Sequence, residues 1–379
     1  MSSLKPYDAV LLLSFGGPEA PDEVMPFLEN VTRGRGIPRE RLLEVSEHYM
    51  HFGGRSPIND ENRALLANLR EQLTAAGVDL DQTPVYWGNR NWAPFTTDVL
   101  REAHENGARR VLAVVTSAYP SYSGCRQYRE DLAEALITLS REGRSMRVDK
   151  IRHYFDQDGF LSPIAESITE ALGTVPTGSH IAFVTHSIPD AMDDASGPQG
   201  NAYTKTHREA CEAVLSLLAV DTVPEWDLVY CSRSGPPSQP WLEPDIGDHL
   251  AGLKNAGVPG VVCVPIGFVS DHMEVVFDLD TEAEEIAQGL DLPFVRAATS
   301  GRATAFAAML ASLVVERAAA ERGENPERGS QAGSGPWHDV CPAGCCANLR
   351  NPDKPAACGV DWVLPIDTSS AAAPAEVTR

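Results

Sequence analysis

Two short stretches about ninety positions apart hold the residue types that can handle a metal ion and protons together: Val184-Thr-His-Ser-Ile-Pro189 and Gly267-Phe-Val-Ser-Asp-His-Met-Glu274. Each follows an apolar run, Ile181-Ala-Phe-Val in one case and Val261-Val-Cys-Val-Pro-Ile in the other, and each run stops abruptly at polar, ionisable residues. In an open α/β sheet, ligands bind beyond the carboxyl ends of the strands. His186 and Glu274 at two such ends can therefore face each other across a cleft and share a divalent ion or pass a proton. A structural, hydrogen-bonded histidine suits the same place, and on sequence alone the two readings weigh equally for His186.

Past Glu274 the acidic residues continue. If a helix begins near His272, then Glu274, Asp278, Glu282 and Glu285 fall on one face. Like charges stacked this way repel, so the row is either a solvated face or a guide that brings a hard divalent cation such as Fe²⁺ toward Glu274. A second region, Tyr49-Met-His-Phe-Gly-Gly-Arg-Ser56, ends a helix at two glycines and presents Arg55 and Ser56, while Arg33 and Arg35 come from a nearby Thr32-Arg-Gly-Arg. These are either surface arginines or a basic lip, edged by Tyr49, for a flat ligand bearing carboxylates. Third, Cys341-Pro-Ala-Gly-Cys345-Cys346 and Cys358 crowd a Pro- and Gly-rich stretch with no core of its own. Such thiols are either free surface thiols or ligands of zinc or an iron–sulfur cluster, and Cys125, at a strand–helix turn, is a further candidate ligand. Cys211, Cys231 and Cys263 read as small buried apolar residues.

The elements that must position these residues alternate strand and helix along the chain. Strands are expected at 9–14, 84–88 and 110–115 and near 148, 180, 226, 260 and 293. The expected helices run over 21–31, 39–51, 95–106, 127–141, 162–172, 204–218, 245–255, 272–288 and 303–317. This rhythm predicts an α/β protein of two doubly wound, Rossmann-like halves with parallel sheets and a cleft between them. The expected division is 1–155 and 156–320 for the halves, 321–367 for a linker and Cys-rich segment, and 368–379 for a disordered tail.

With 379 residues, 43% of them hydrophobic and a formal charge of −22, the chain is globular and acidic. That charge argues against nucleic acid and anionic membranes as partners. No segment approaches the roughly 18–20 unbroken apolar residues of a membrane span, and the amino terminus lacks the apolar region of a signal peptide. A cytoplasmic protein, working as a monomer without stable membrane association, is expected, and disulfides are therefore not.

Taken together, the motifs resemble those of a ferrochelatase, closest to the actinobacterial enzymes acting on coproporphyrin III. The resemblance runs from Leu13-Ser-Phe-Gly-Gly-Pro18 to about Arg317 and includes Arg33-Gly-Arg35, Gly53-Gly-Arg-Ser-Pro57, Thr185-His-Ser-Ile-Pro189, Gln239-Pro-Trp-Leu-Glu-Pro-Asp245 and Gly267 to Glu274. It implies insertion of Fe²⁺ into a porphyrin in haem biosynthesis, with His186 and Glu274 as the metal-site pair, Ser56 and Tyr128 at porphyrin-contacting positions, and Asp278 and Glu282 in the acidic row. Phe15 stands where related enzymes can carry a Tyr that binds the product iron; a Phe can only pack on the macrocycle. The resemblance further implies a [2Fe–2S] cluster on Cys125 and three carboxyl-terminal cysteines, expected to be Cys341, Cys346 and Cys358, with Cys345 as the alternate to Cys346. Outside this assignment stand a cobalt chelatase for a sirohydrochlorin-type ring and a non-catalytic porphyrin carrier or iron–sulfur sensor.

Overall fold

Four apolar strands, β1 (Ala9–Ser14), β2 (Val85–Asn89), β3 (Arg110–Val115) and β4 (Arg147–Lys150), form one parallel sheet in the order β2-β1-β3-β4. Four more, β5 (His180–His186), β6 (Trp226–Cys231), β7 (Val261–Val264) and β8 (Phe294–Arg296), form a second in the order β6-β5-β7-β8. The central strands read as unbroken apolar runs because helices cover both faces of each sheet. The computed structural model describes residues 3–34, 36–235 and 238–364, so Arg35 and the expected tail at 368–379 lie outside the described residues.

The helices of the first half are α1 (Val24–Val31), α2 (Arg39–His51), α3 (Ile58–Ala75), α4 (Thr96–Glu105) and α5 (Gln127–Arg141). Those of the second are α6 (Asp158–Leu172), α7 (Asp190–Asp194), α8 (Ala202–Ser216), α9 (Ile246–Asn255), α10 (Glu284–Gly289) and α11 (Thr304–Glu321). In each sheet the chain order reverses beside the first strand, between β1 and β3 and again between β5 and β7. These reversals are the two topological switch points, where doubly wound folds bind ligands.

The observed fold is thus the expected pair of doubly wound sheets, with two main differences. The long helix α3 is absent from the sequence expectation. Its buried residues Ile58, Asn62, Leu65, Leu69 and Leu73 recur at helical spacing, a stripe diluted by polar neighbours. Leu65, Leu69 and Leu73 share one core with Phe160 and Ile164 of α6 and Phe306, Leu310 and Val314 of α11. The last helix therefore packs back into a core that the first half begins.

The second difference lies beyond Glu274. The expected α-helix over 272–288 is instead a π-helix, Val275–Ala283, followed by the short α10. The Thr281 hydroxyl donates to the Val276 carbonyl five residues back, at 3.1 Å, which suits the wider i→i+5 turn. A second π-helical turn, Tyr122–Arg126, carries Cys125.

Candidate active site and thiol site

β5 ends at His186, and the loop leaving β7 brings Glu274 to its side, because these two strands are neighbours. The imidazole Nε2 lies 3.4 Å from the Glu274 carboxylate, with the side chains 32% and 48% exposed. Both therefore face the opening beyond the second switch point. The pair is formed within one half, by adjacent strand ends, and not by residues meeting across the cleft. His186 Nδ1 is hydrogen-bonded to the Ser187 carbonyl, which leaves Nε2 toward Glu274.

What lies beneath holds this strand end rigid. Tyr203 on α8 donates to the His186 carbonyl at 2.8 Å. The Thr185 hydroxyl sits 2.7 Å from Tyr203 Oη and 2.9 Å from His207 Nε2. Burial pulls the His207 imidazole down to about 3, so it is a neutral acceptor. Gly267 lies so close to Thr185 that a Cβ there would come within 2.0 Å of its hydroxyl. These supports escaped the sequence reading. Tyr203 and His207 are spaced one helical turn apart, but nothing local marks them as partners of Thr185.

Electrostatics bind the site residues to one another. Burial lowers the His186 imidazole, but the Glu274 charge and hydrogen bond outweigh it and carry it up to about 9. Burial raises the Glu274 carboxyl, and the charge of His186 wins again, bringing it down to about 2. A metal ligand or proton acceptor needs a neutral imidazole, whereas the resting site favours imidazolium beside carboxylate at neutral pH. Asp278, one turn on, is pushed up to about 7 by burial and by its carboxylate neighbours Glu274 and Glu282, against a hydrogen bond from Ser232. Glu274 and Glu282 are exposed and Asp278 between them is half-buried, so the three carboxylates form one row along the π-helix. Asp271 is held elsewhere, by Arg296 at 3.1 Å and the Thr299 hydroxyl at 3.0 Å.

Opposite stands the first half. Phe15 follows β1 at the other switch point, 41% exposed, with its ring 6.4 Å from Phe27, which packs on Tyr49 at 5.9 Å. His48 of α2 stacks on Phe277 of the π-helix at 3.7 Å, joining the halves at the rim. Tyr119 donates to the Ile266 carbonyl at 3.1 Å and joins them at the floor. Arg33 is exposed. Two expected contact residues are less open. Tyr128 is buried beneath Arg90, whose guanidinium lies 4.4 Å from the ring centre. Ser56 is buried against Gly17, its hydroxyl accepting from Ile58 N at 3.4 Å. Ser56 is 3% exposed, and its backbone N–H donates to the Pro18 carbonyl at 2.9 Å.

The cysteines assemble differently from the expected set. Cys125, Cys341, Cys345 and Cys346 form one buried cluster, with Sγ atoms 4.0 Å apart for Cys125 and Cys341 and 3.8 Å apart for Cys345 and Cys346. Cys358 stands apart as a correction: its thiol donates to the Val148 carbonyl at 3.3 Å and packs with the first sheet's core. Cys345 and Cys346 both face the cluster because Cys346 takes a left-handed backbone, φ 54°, which turns the chain so that neighbouring side chains converge. The Gly197 N–H lies 3.2 Å from Cys346 Sγ. Arg129 and Lys150 are both buried beside these thiols, and the two terminal nitrogens of Arg129 have no hydrogen-bond partner. No helix among the described residues is long and apolar enough to cross a membrane.

The sequence matches the model of the Ferrochelatase family over residues 7–318. A coproporphyrin III ferrochelatase of Streptomyces griseus subsp. griseus is 55% identical over 376 residues, covering 95% of this chain and 99% of its own length. One of Leifsonia xyli subsp. xyli is 49% identical over 376 residues, covering 93% and 94%. A protein of Rhodopirellula baltica named ferrochelatase is 48% identical over 364 residues, covering 95% and 98%. A match that takes in both sheets, both switch points and the His186–Glu274 pair, from relatives of nearly equal length, means that this chain belongs to the ferrochelatase family.

Proposed function

We propose that the chain is a metal chelatase of the lyase class that inserts Fe²⁺ into coproporphyrin III, giving Fe-coproporphyrin III in haem biosynthesis. The observation that carries the reading is the imidazole–carboxylate pair, 3.4 Å apart at a switch point, in a chain 55% identical to a coproporphyrin III ferrochelatase. The reaction releases two pyrrole protons as one Fe²⁺ enters, so net charge balances and no electrons move. A planar macrocycle hides its N–H groups in its own plane, and a base must reach them from one face of a distorted ring. His186 is the proton acceptor or first metal ligand, and Glu274 is its partner. An imidazolium can do neither. Fe²⁺ arriving at Glu274 opposes the positive ring and favours loss of its proton, so metal arrival readies the base. Asp278 and Glu282 pass the ion inward with oxygen ligands that release it readily. Phe15 and Tyr49 offer the apolar wall on which the macrocycle packs, with Tyr128 beneath it. Arg33 and Arg35 serve the carboxylates of the ring, and Ser56 contacts the macrocycle from the loop between α2 and α3.

The test is anaerobic mixing of purified protein with Fe²⁺ and coproporphyrin III while following absorbance, with protoporphyrin IX and Co²⁺ as comparisons. Faster turnover with Co²⁺ on a sirohydrochlorin-type ring, or porphyrin binding without turnover, would replace the reading.

For the thiol site we propose a [2Fe–2S] cluster on Cys125, Cys341, Cys345 and Cys346. Four thiols in one buried group match the Cys₄ donor set such clusters use, and the buried cations Arg129 and Lys150 offset the negative charge of thiolate ligands. Bound there, the group supplies metal–thiolate bonds that order a segment with little core of its own. A second reading has its own support: His338, Cys341 and Cys345 place ligand atoms within 4.8 Å of one another, which suits zinc. Iron and acid-labile sulfide analysis separates the two. The division of the chain near 155–156 is likewise proposed, since β4 completes one sheet before it and β5 opens the other after it.

A further inference from the structure

At the far end of the strand that carries His186, a second group of ligand-type side chains converges. His180 opens β5, Asp227 lies near the start of β6, and His249 projects from α9. One Asp227 carboxylate oxygen is 3.0 Å from His180 Nε2 and 3.7 Å from His249 Nε2. All three ligand atoms lie within 4.8 Å of one another. Both Nε2 atoms are buried, and neither completes a hydrogen bond; the carboxylate is close in distance but off the donor direction. His180 is 93% buried by its 7% exposure, so water offers it little compensation. Two buried imidazole nitrogens and a carboxylate thus converge at one place.

We propose that His180, Asp227 and His249 bind a divalent first-row ion of the Zn²⁺ or Co²⁺ class. Two imidazoles and one carboxylate are a donor set for such ions. Bonds of about 2.0–2.1 Å in a tetrahedron put neighbouring donors roughly 3.3 Å apart, close to the two nitrogen–oxygen separations. Asp227 is 55% exposed, so water can take the remaining position. The site is separate from the catalytic pair: five residues of β5 stand between His180 and His186, roughly 20 Å at strand rise. The ion would fasten β5, β6 and α9 together at the amino edge of the sheet. Nothing in this assignment depends on the chelatase reading.

The experiment compares wild type, His249→Ala, Asp227→Asn and His186→Ala, each purified with its own complement of iron. Zn²⁺ is titrated by calorimetry, and the melting temperature is read with and without it. Wild type is expected to bind one equivalent more than His249→Ala and Asp227→Asn, while His186→Ala keeps that equivalent. Zn²⁺ should raise the melting temperature of wild type and His186→Ala but not of the two site variants, and Fe²⁺ insertion by the site variants should stay near the wild-type rate. Equal stoichiometry in wild type and Asp227→Asn, or an unchanged Zn²⁺ shift in melting temperature, overturns the proposal. Asp227→Asn serves as the measurement if His249→Ala folds poorly.

Discussion

His186 carries two opposing demands, and their signs can be worked out from its pairing. Its folded value, about 9, lies above the ordinary 6.5. The stability gained from the pair is therefore complete below 6.5 and lost as pH rises through about 9. Glu274, brought down to about 2 from 4.5, holds its share above 4.5 and loses it as pH falls through about 2. Catalysis runs the other way, because an accepting imidazole must first be free of its proton. Turnover at limiting Fe²⁺ is expected to rise from pH 7 toward 9 while the metal-free protein loses stability. Glu274→Gln removes the charge that raises His186, so its residual turnover should show an acid limb shifted to lower pH; a limb at the wild-type position would exclude His186 as the titrating group. His186→Ala should lower turnover by about 10²–10⁴-fold, the worth of a general base, with circular dichroism unchanged. Glu274→Gln should reduce turnover far more than coproporphyrin binding. Asp278→Asn and Glu282→Gln should mainly raise the KM for Fe²⁺, which steady-state kinetics at varied iron will measure.

At the scale of the element, the site depends on how closely the Gly267 loop lies against the end of β5. Gly267→Ala sets a methyl against the Thr185 hydroxyl. Overpacking of this kind costs about 1–3 kcal/mol and should lower the melting temperature and turnover together. Unchanged turnover would show that the loop can yield without moving His186. The apolar runs that end at His186 and before Asp271 made both strand ends legible in the sequence, since a buried parallel strand needs an unbroken apolar run. The π-helix was not legible, because its wider turn reuses residues that also suit an α-helix. Ser56 could be placed in its loop but not against Gly17, a contact between segments far apart in sequence. The sulfur set was half legible: adjacent cysteines in ordinary backbone point apart, and only the left-handed turn at Cys346 brings both inward.

Across the whole molecule, the Cys-rich segment joins parts that the two sheets leave separate. Cys125 belongs to the first half, Gly197 to the second, and Cys346 lies against the Gly197 N–H. The segment is also tied to α5, where Arg129 donates to the Ala357 carbonyl at 2.7 Å and Asn348 donates to Glu130 at 3.0 Å. Substituting Cys125, Cys341, Cys345 or Cys346 by Ser is expected to bleach the visible absorbance of the purified protein and lower its melting temperature. Cys358→Ser should keep the colour, because that thiol serves Val148 and not the cluster. A bleached Cys358→Ser with a coloured Cys345→Ser would restore the ligand set expected from sequence.

The return of α11 onto α3 bears on the order in which the chain can finish folding as it is made. The Leu65, Leu69 and Leu73 face is synthesised early, yet partners such as Phe306, Leu310 and Val314 emerge only near the end. About 250 residues separate Leu73 from the close of α11; at roughly 5–20 residues per second that is on the order of 12–50 s of translation. For that time the nascent first half holds an apolar stripe open to water or to a chaperone. Early release of the chain before α11 would leave the stripe permanently bare, so a nonsense change near residue 300 should yield an aggregate and not a shortened enzyme.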